Sequence, residues 1–153
     1  MIELYKGDAK RIQHFCKVHS YAKLIAETEN VDKKSLFIIE AAALTHDIGI
    51  HFCEEKYGNC NGKLQEQEGP AIAERLLKKL GFDQEVSDRV QYLIAHHHTY
   101  NDIDAMDYQI LVEADFLVNI MEDSLTKEAA LKAYHNIFKT ACGKTICREM
   151  FDI

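Results

Sequence analysis

The hydrophobic residues of this chain recur at helical spacing over most of its length. After Asp8, apolar positions repeat about every 3.6 residues, and polar side chains occupy the opposite side. Residues 36–45 are apolar on nearly every side, which is typical of a central helix. No segment alternates with a period of two for long enough to predict a strand. The pattern therefore predicts an all-α fold.

Capping residues divide this pattern into about six helices with short connections. Asp8, Asp32, Asp83 and Thr126 each precede an apolar periodic segment, and their side chains suit the N-cap position. A further helix is predicted over roughly 106–121. The last ten residues are expected to hold a short helical turn.

The least periodic part of the chain is residues 50–65, which are polar and contain two glycines and two asparagines close together. They are predicted to form a loop, and loops of this length in a compact domain are often functional. Pro70 is expected in the first turn of the next helix, where a missing N–H costs nothing.

Length and composition predict a single helical domain over residues 1–153, with enough apolar residues for one substantial core. The formal charge of −7 argues against a binder of nucleic-acid duplexes, which would need a clustered basic surface. An anionic substrate stays open, because a bound metal ion can reverse the local field. The oligomeric state is left open.

No signal-peptide-like stretch and no apolar run of about 18 residues is present, so the chain is expected to be cytoplasmic and without a membrane partner. Its five cysteines are an odd number without CxxC spacing, and they read as free thiols. A zinc site that uses Cys53 and Cys60 is an alternative that the spacing does little to support.

The first candidate site residues are His46 and Asp47, which are adjacent ionisable residues at the end of the most apolar segment. Such groups are costly to desolvate unless something pairs with them, and a divalent metal ion suits both imidazole and carboxylate. His14 and Asp115 also lie beside apolar helical positions. For His14 the alternative is a half-buried histidine bound to a backbone carbonyl, and for Asp115 it is an ion pair with another helix.

Three consecutive histidines follow another apolar helical segment. Successive residues of a helix point about 100° apart, so the three cannot all face one site. His97 continues the apolar face and is expected to point inward, with His98 near enough to turn the same way. His96 is expected to face solvent, and a surface cluster that binds metal only incidentally is the alternative.

The order of these residues resembles the HD-domain superfamily of metal-dependent phosphohydrolases. Four segments carry the resemblance, and together they span roughly residues 8–120: 11–22 (RIQHFCKVHSYA), 42–49 (AALTHDIG), 94–100 (IAHHHTY) and 112–119 (VEADFLVN). The resemblance implies a helical core in which one divalent transition metal, such as iron, manganese or nickel, is held by His14, His46, Asp47 and Asp115. It also implies hydrolysis of phosphate esters, many of them nucleotides. Asp47, His97 and His98 are the expected catalytic residues, because Asp47 beside the metal could orient a water molecule and the helical phase turns the two histidines toward the metal or the substrate phosphate.

The chain departs from the family pattern at two positions. Two-metal relatives carry a histidine where this chain has Gln65, so a second metal site would be partial, with Glu66, His97 and His98 as candidates. Many members carry a phosphate-binding lysine where this chain has Ile50. Lys56 or Lys63 are candidates to replace it.

Three functions follow from this pattern. The leading one is a metal-dependent phosphohydrolase whose partner is a small phosphorylated substrate, such as a nucleotide. The alternatives are a non-catalytic nucleotide-binding signalling module and an HD-type di-iron oxygenase, against which Gln65 argues.

Overall fold

The computed structural model describes all 153 residues, and the helical periodicity of the sequence appears in it as eight α-helices without any strand. The all-α prediction is therefore confirmed. The helices are α1 (Ala9–Thr28), α2 (Lys33–Thr45), α3 (Ile50–Tyr57), α4 (Gly62–Lys79), α5 (Gln84–Ile94), α6 (Met106–Glu122), α7 (Lys127–Asn136) and α8 (Ala141–Phe151).

The four capping residues act as the sequence indicates. The side chain of Asp8 accepts a hydrogen bond from the backbone of Arg11 in α1, and Asp83 accepts one from Val86 in α5. Asp32 and Thr126 cap α2 and α7 in the same way. Each bond satisfies a backbone N–H that has no partner inside its helix.

The predicted loop over residues 50–65 is wrong. Most of it is helical, because α3 occupies 50–57 and α4 already begins at Gly62. The true connection is short: Gly58 ends α3 in the left-handed conformation with φ of 72°, and the side chain of Asn61 caps α4. Pro70 therefore lies inside α4 and not in its first turn, where its ring nitrogen leaves the Glu66 carbonyl without the usual helical donor.

The C-terminal region holds more helix than the sequence indicates. The segment that follows Thr126 divides into two helices, α7 and α8, and the break lies at 137–140. Thr140 caps α8 by accepting a hydrogen bond from the Gly143 backbone. The expected short turn at the C-terminus is thus an eleven-residue helix.

The core forms where α1, α2 and α6 pack against one another, while α5 packs between α2 and α4. Twelve of the seventeen residues of α6 are buried, which makes it the central helix together with α2. The turn after α2 meets His14 of α1 and Asp115 of α6, and the turn after α5 meets the turn after α2 through His97. The predicted site residues lie where these turns meet.

One helical stretch, Lys33–Tyr57, is long and apolar enough to cross a membrane by length and composition. Half of its most apolar window is buried inside the fold, and a buried core helix passes the same test. This stretch contains α2, which packs against α1, α5 and α6.

Candidate metal centre

His46 and Asp47 lie in the turn that directly follows α2. The backbone N–H of His46 still bonds to the Ala42 carbonyl at 2.7 Å, so this residue continues the helical path for one position. The hydroxyl of Tyr5 donates to the Asp47 carbonyl at 2.8 Å. The turn is therefore fixed from both sides, and its two ionisable side chains are directed into the core.

The four proposed metal ligands come together from three helical regions. The Nε2 atoms of His14 and His46 are 3.2 Å apart. Asp115 Oδ1 lies 3.3 Å from the first of these nitrogens and 3.5 Å from the second. Asp47 Oδ2 lies 3.5 Å from each of them. The ligand atoms of His14, His46 and Asp47 lie close enough together to hold a metal ion, and Asp115 Oδ1 lies beside the two imidazoles.

The histidine run lies in the turn after α5, and its three members have different surroundings. His97 is 1% exposed, and its Nε2 is 3.4 Å from Asp47 Oδ1. The ligand atoms of His97, His98 and Asp47 lie within 4.8 Å of one another. His96 instead contacts the Tyr92 carbonyl through Nδ1 at 2.7 Å, on the other side of the turn.

Each of the three central imidazoles has its Nδ1 beside an acceptor. His46 Nδ1 lies 3.0 Å from the Ala43 carbonyl, and His97 Nδ1 lies 2.7 Å from the Ile94 carbonyl. His14 Nδ1 lies 3.1 Å from Glu122 Oε2. A carbonyl or carboxylate oxygen can only accept, so it selects the tautomer with the proton on Nδ1. The lone pairs of all three Nε2 atoms then face the interior of the site.

Two buried polar atoms at this point have no hydrogen-bond partner: His97 Nε2 and Asp115 Oδ1. Burying such atoms unpaired costs free energy, and native proteins rarely leave them so. A divalent cation satisfies lone pairs of imidazole and carboxylate at once. The donor set therefore fits a first-row metal ion, and Nδ1 partners of this kind are the usual support for metal-binding histidines.

The charges of the metal-free cluster are strongly coupled. Burial lowers the pKa of His46, but the charges of Asp47 and Asp115 outweigh it and raise that pKa to about 9. Burial raises the pKa of Asp115, but contacts with His14 and His46 hold it well below its usual range. Protons thus balance the carboxylates when no cation does, and metal binding would have to displace them.

The neighbourhood of a second metal position is only partly suited to a metal. His98 Nε2 lies 3.2 Å from Gln65 Oε1, so the amide stands beside this imidazole where two-metal relatives have a histidine. Glu66 Oε1 accepts from the His98 backbone at 2.9 Å and from the Thr99 hydroxyl at 3.0 Å. Glu66 is therefore used to hold the histidine turn on α4.

Neither candidate lysine contacts the cluster. Lys56 Nζ pairs with Glu68 at 3.2 Å and lies over the Phe52 ring. Lys63 forms no ion pair and lies at the exposed start of α4. The side chain that replaces the family lysine, Ile50, is apolar and lines the cleft beside His14 and Asp47.

Glu122 is the functional candidate that the sequence interpretation missed. It holds His14 through Oε2, while its Oε1 bonds to Lys17 one turn further along α1. A signal was available, because Glu122 follows Asp115 by seven residues, and two turns of helix bring both onto one face of α6.

The comparison with protein families matches the HD domain over residues 11–141. The chain therefore belongs to the HD domain family, most of whose members are metal-dependent hydrolases. No curated protein and no solved structure matches the chain. The family match indicates a metal-dependent protein, and the structure brings together groups of histidine and aspartate side chains that could hold the metal ion.

Proposed function

We propose that this protein is a cytoplasmic, metal-dependent phosphohydrolase that acts on a nucleotide or another small phosphate ester. The observation that carries the proposal is the clustering of imidazole and carboxylate side chains around Asp47, which belongs to both groups that could hold a metal ion, with the buried atoms His97 Nε2 and Asp115 Oδ1 left unpaired. A helical core without catalysis gains nothing from such a costly arrangement.

In this proposal His14, His46, Asp47 and Asp115 hold one divalent transition metal ion. When bound, the ion would lower the pKa of a water molecule and neutralise negative charge on phosphate oxygens. The Nδ1 contacts of the two imidazoles direct their Nε2 atoms at the ion, whose binding would displace the protons that they carry without it.

Asp47, His97 and His98 have the catalytic roles. Asp47 has one oxygen toward His14 and His46 and the other toward His97, so it can orient a water molecule between them. His97 Nε2 can accept a proton from that water, since its Nδ1 is engaged by a carbonyl. His98, with Asp47 and His97, forms the partial second position for a metal or a phosphate oxygen.

The proposed reaction consumes only the phosphate ester and one water molecule. The oxygen of water forms a bond to phosphorus, and the bond between phosphorus and the ester oxygen breaks. One proton of the water moves to the leaving alcohol, and the other stays on inorganic phosphate. No oxidant or reductant is consumed, in contrast with the di-iron alternative.

The surroundings of His98 weigh against a di-iron oxygenase. That chemistry requires a full ligand set for two irons, whereas Gln65 presents an amide and Glu66 is engaged by backbone and hydroxyl donors. A non-catalytic nucleotide-binding module would not need the buried, unpaired atoms His97 Nε2 and Asp115 Oδ1.

Phosphate release tests the proposal. Protein loaded with Mn²⁺ should release inorganic phosphate from members of a nucleotide panel, and a chelator should abolish the release. Loss of turnover in His97→Ala, with His96→Ala close to wild type, would support the assigned role of His97. Metal-loaded protein that hydrolyses no phosphate ester would refute the proposal and favour the binding module.

A further inference from the structure

A cleft of about 310 Å³ opens directly beside the candidate metal centre. Its wall includes His14 and Asp47, so a molecule bound in the cleft touches two of the proposed ligands. The other charged residues of the wall are Asp8, Lys10, Arg11, Glu122 and Asp123. The charges of this wall attract or repel phosphate groups, and so they affect which phosphate compounds can bind in the cleft.

Arg11 is the strongest cation of the cleft, but it is already neutralised. Its Nη1 pairs with Asp8 at 2.7 Å, and its Nη2 pairs with Glu54 at 2.6 Å. A guanidinium that is held by two carboxylates offers little net charge to a third anion.

Glu122 is paired in the same way, with Lys17 on one oxygen and His14 on the other. Among the cleft residues this leaves one cation without an ion pair, the exposed Lys10, and one free carboxylate, the exposed Asp123. Ile50 adds an apolar side chain where many family members present a lysine. Apart from a bound metal ion, the cleft therefore has almost no charge available for phosphate groups.

We propose that the substrate is a phosphate monoester with a single phosphate, such as a nucleoside 5′-monophosphate, and that nucleoside triphosphates are discriminated against. The inference rests on the proposed phosphohydrolase function. A bound metal ion and the histidines beside it would contact one phosphate group. A second and a third phosphate in the cleft would meet Asp123 and paired carboxylates, with Lys10 as the one free counter-charge.

The experiment compares the monophosphate and the triphosphate of one nucleoside on Mn²⁺-loaded protein at constant free metal. Chromatography of all products detects cleavage at any phosphorus atom. The expected kcat/KM for the monophosphate exceeds that for the triphosphate by about tenfold or more at low ionic strength, which is the effect of roughly one unfavourable charge contact. The ratio should fall as salt is added, because exposed charges are screened.

Asp123→Lys tests the charge of the wall. It should bring the ratio down by more than about tenfold, since it removes one unfavourable charge contact and adds a favourable one. Glu74→Lys is the matched control, because Glu74 is exposed on α4 without an ion pair, lies outside the cleft, and undergoes the same change of charge. The control should keep the wild-type ratio.

The outcomes separate the inference from the function on which it rests. Turnover of the triphosphate as fast as or faster than the monophosphate would overturn the inference and leave the phosphohydrolase standing. An unchanged ratio in Asp123→Lys would show that the substrate does not use this cleft, and would overturn it too. Hydrolysis of neither compound by metal-loaded protein would count against the proposed function itself.

Discussion

At the scale of single residues, metal binding at the proposed site depends on how each imidazole is oriented. His14, His46 and His97 each have an acceptor beside Nδ1, and these acceptors are two backbone carbonyls and one carboxylate. The carbonyls belong to the same turns as their histidines. The carboxylate, on Glu122, comes from a different helix, so the orientation of His14 depends on how α6 packs against α1.

Replacing Glu122 should therefore weaken metal binding without removing a proposed ligand. We expect Glu122→Ala to lower Mn²⁺ affinity by about 10–100-fold, as is usual when the partner of a metal-binding histidine is lost. The measurement is isothermal titration calorimetry of metal-free protein with Mn²⁺.

Glu40 offers a matched control for this variant. It lies 3.0 Å from His19 Nε2 and 2.8 Å from Lys23 Nζ, so it joins a histidine and a lysine of α1 to another helix, as Glu122 does. Glu40→Ala should leave the affinity unchanged. If both variants lose the same affinity, the effect of Glu122 is a general loosening of α1 and not an orientation of His14.

At the scale of helices, close approach of α4 to the site depends on a pair of glycines. A Cβ on Gly69 would lie 2.7 Å from Ile94 Cγ2, and a Cβ on Gly49 would lie 3.2 Å from the backbone of Gly69. The absence of side chains lets α4 pack against the turn that carries His46 and Asp47. The same contact holds the end of α5, from which the histidine run begins.

Gly69→Ala should destabilise the protein, although alanine is the better helix former. Overpacking costs about 1–3 kcal/mol, which exceeds the gain of about 0.5–1 kcal/mol from removing a helical glycine. Urea unfolding should therefore show a lower midpoint. Gln67→Ala, which places alanine at an exposed position of the same helix, should change the midpoint little. A Gly69→Ala protein as stable as this control would refute the packing argument.

A helix could be predicted from the sequence where residues close together in the chain are enough to define it. The N-caps of α1, α2, α5 and α7 could be predicted, because each bond joins residues two or three positions apart. Helix α3 has no side-chain cap and buries only Cys53, so its apolar positions do not repeat and it was assigned to a loop. Its helical state depends on packing against α4, which sequence periodicity does not contain.

At the candidate site too, some residues could be predicted from their neighbours in the sequence, and others depend on the tertiary fold. His14, His46, Asp47 and Asp115 could be predicted, because an ionisable residue beside apolar neighbours is visible in the sequence. The role of Glu66 could not, because it depends on how the start of α4 lies against the turn after α5. The pairing of Arg11 with Glu54 is another contact between distant segments, and it depends on the tertiary fold.

At the scale of the whole molecule, the site concentrates negative charge in a protein that already carries a formal charge of −7. Asp47 and Asp115 are drawn together in the core, where protons on His14 and His46 compensate them in the absence of a cation. A metal ion that binds the folded state and not the unfolded chain must stabilise the fold.

Saturating Mn²⁺ should thus raise the melting temperature, and a chelator should reverse the rise. At a free concentration of about 100 times Kd the gain is about 2.7 kcal/mol, which corresponds to roughly 5–10 °C for a chain of this size. In Asp115→Asn the shift should largely disappear while far-UV circular dichroism stays helical. Asp107→Asn is the control, because Asp107 lies on the same helix but pairs with Arg89, so this variant should melt lower yet keep the shift. An equal shift in Asp115→Asn would mean that Asp115 has a structural role only.

The most direct test of the central claim is anomalous diffraction from crystals of the protein grown with Mn²⁺. The account predicts one strong peak between His14 Nε2, His46 Nε2, Asp47 and Asp115, at about 2.0–2.3 Å from each ligand atom. A peak elsewhere, or none at this point in crystals whose protein binds Mn²⁺ in solution, would contradict it.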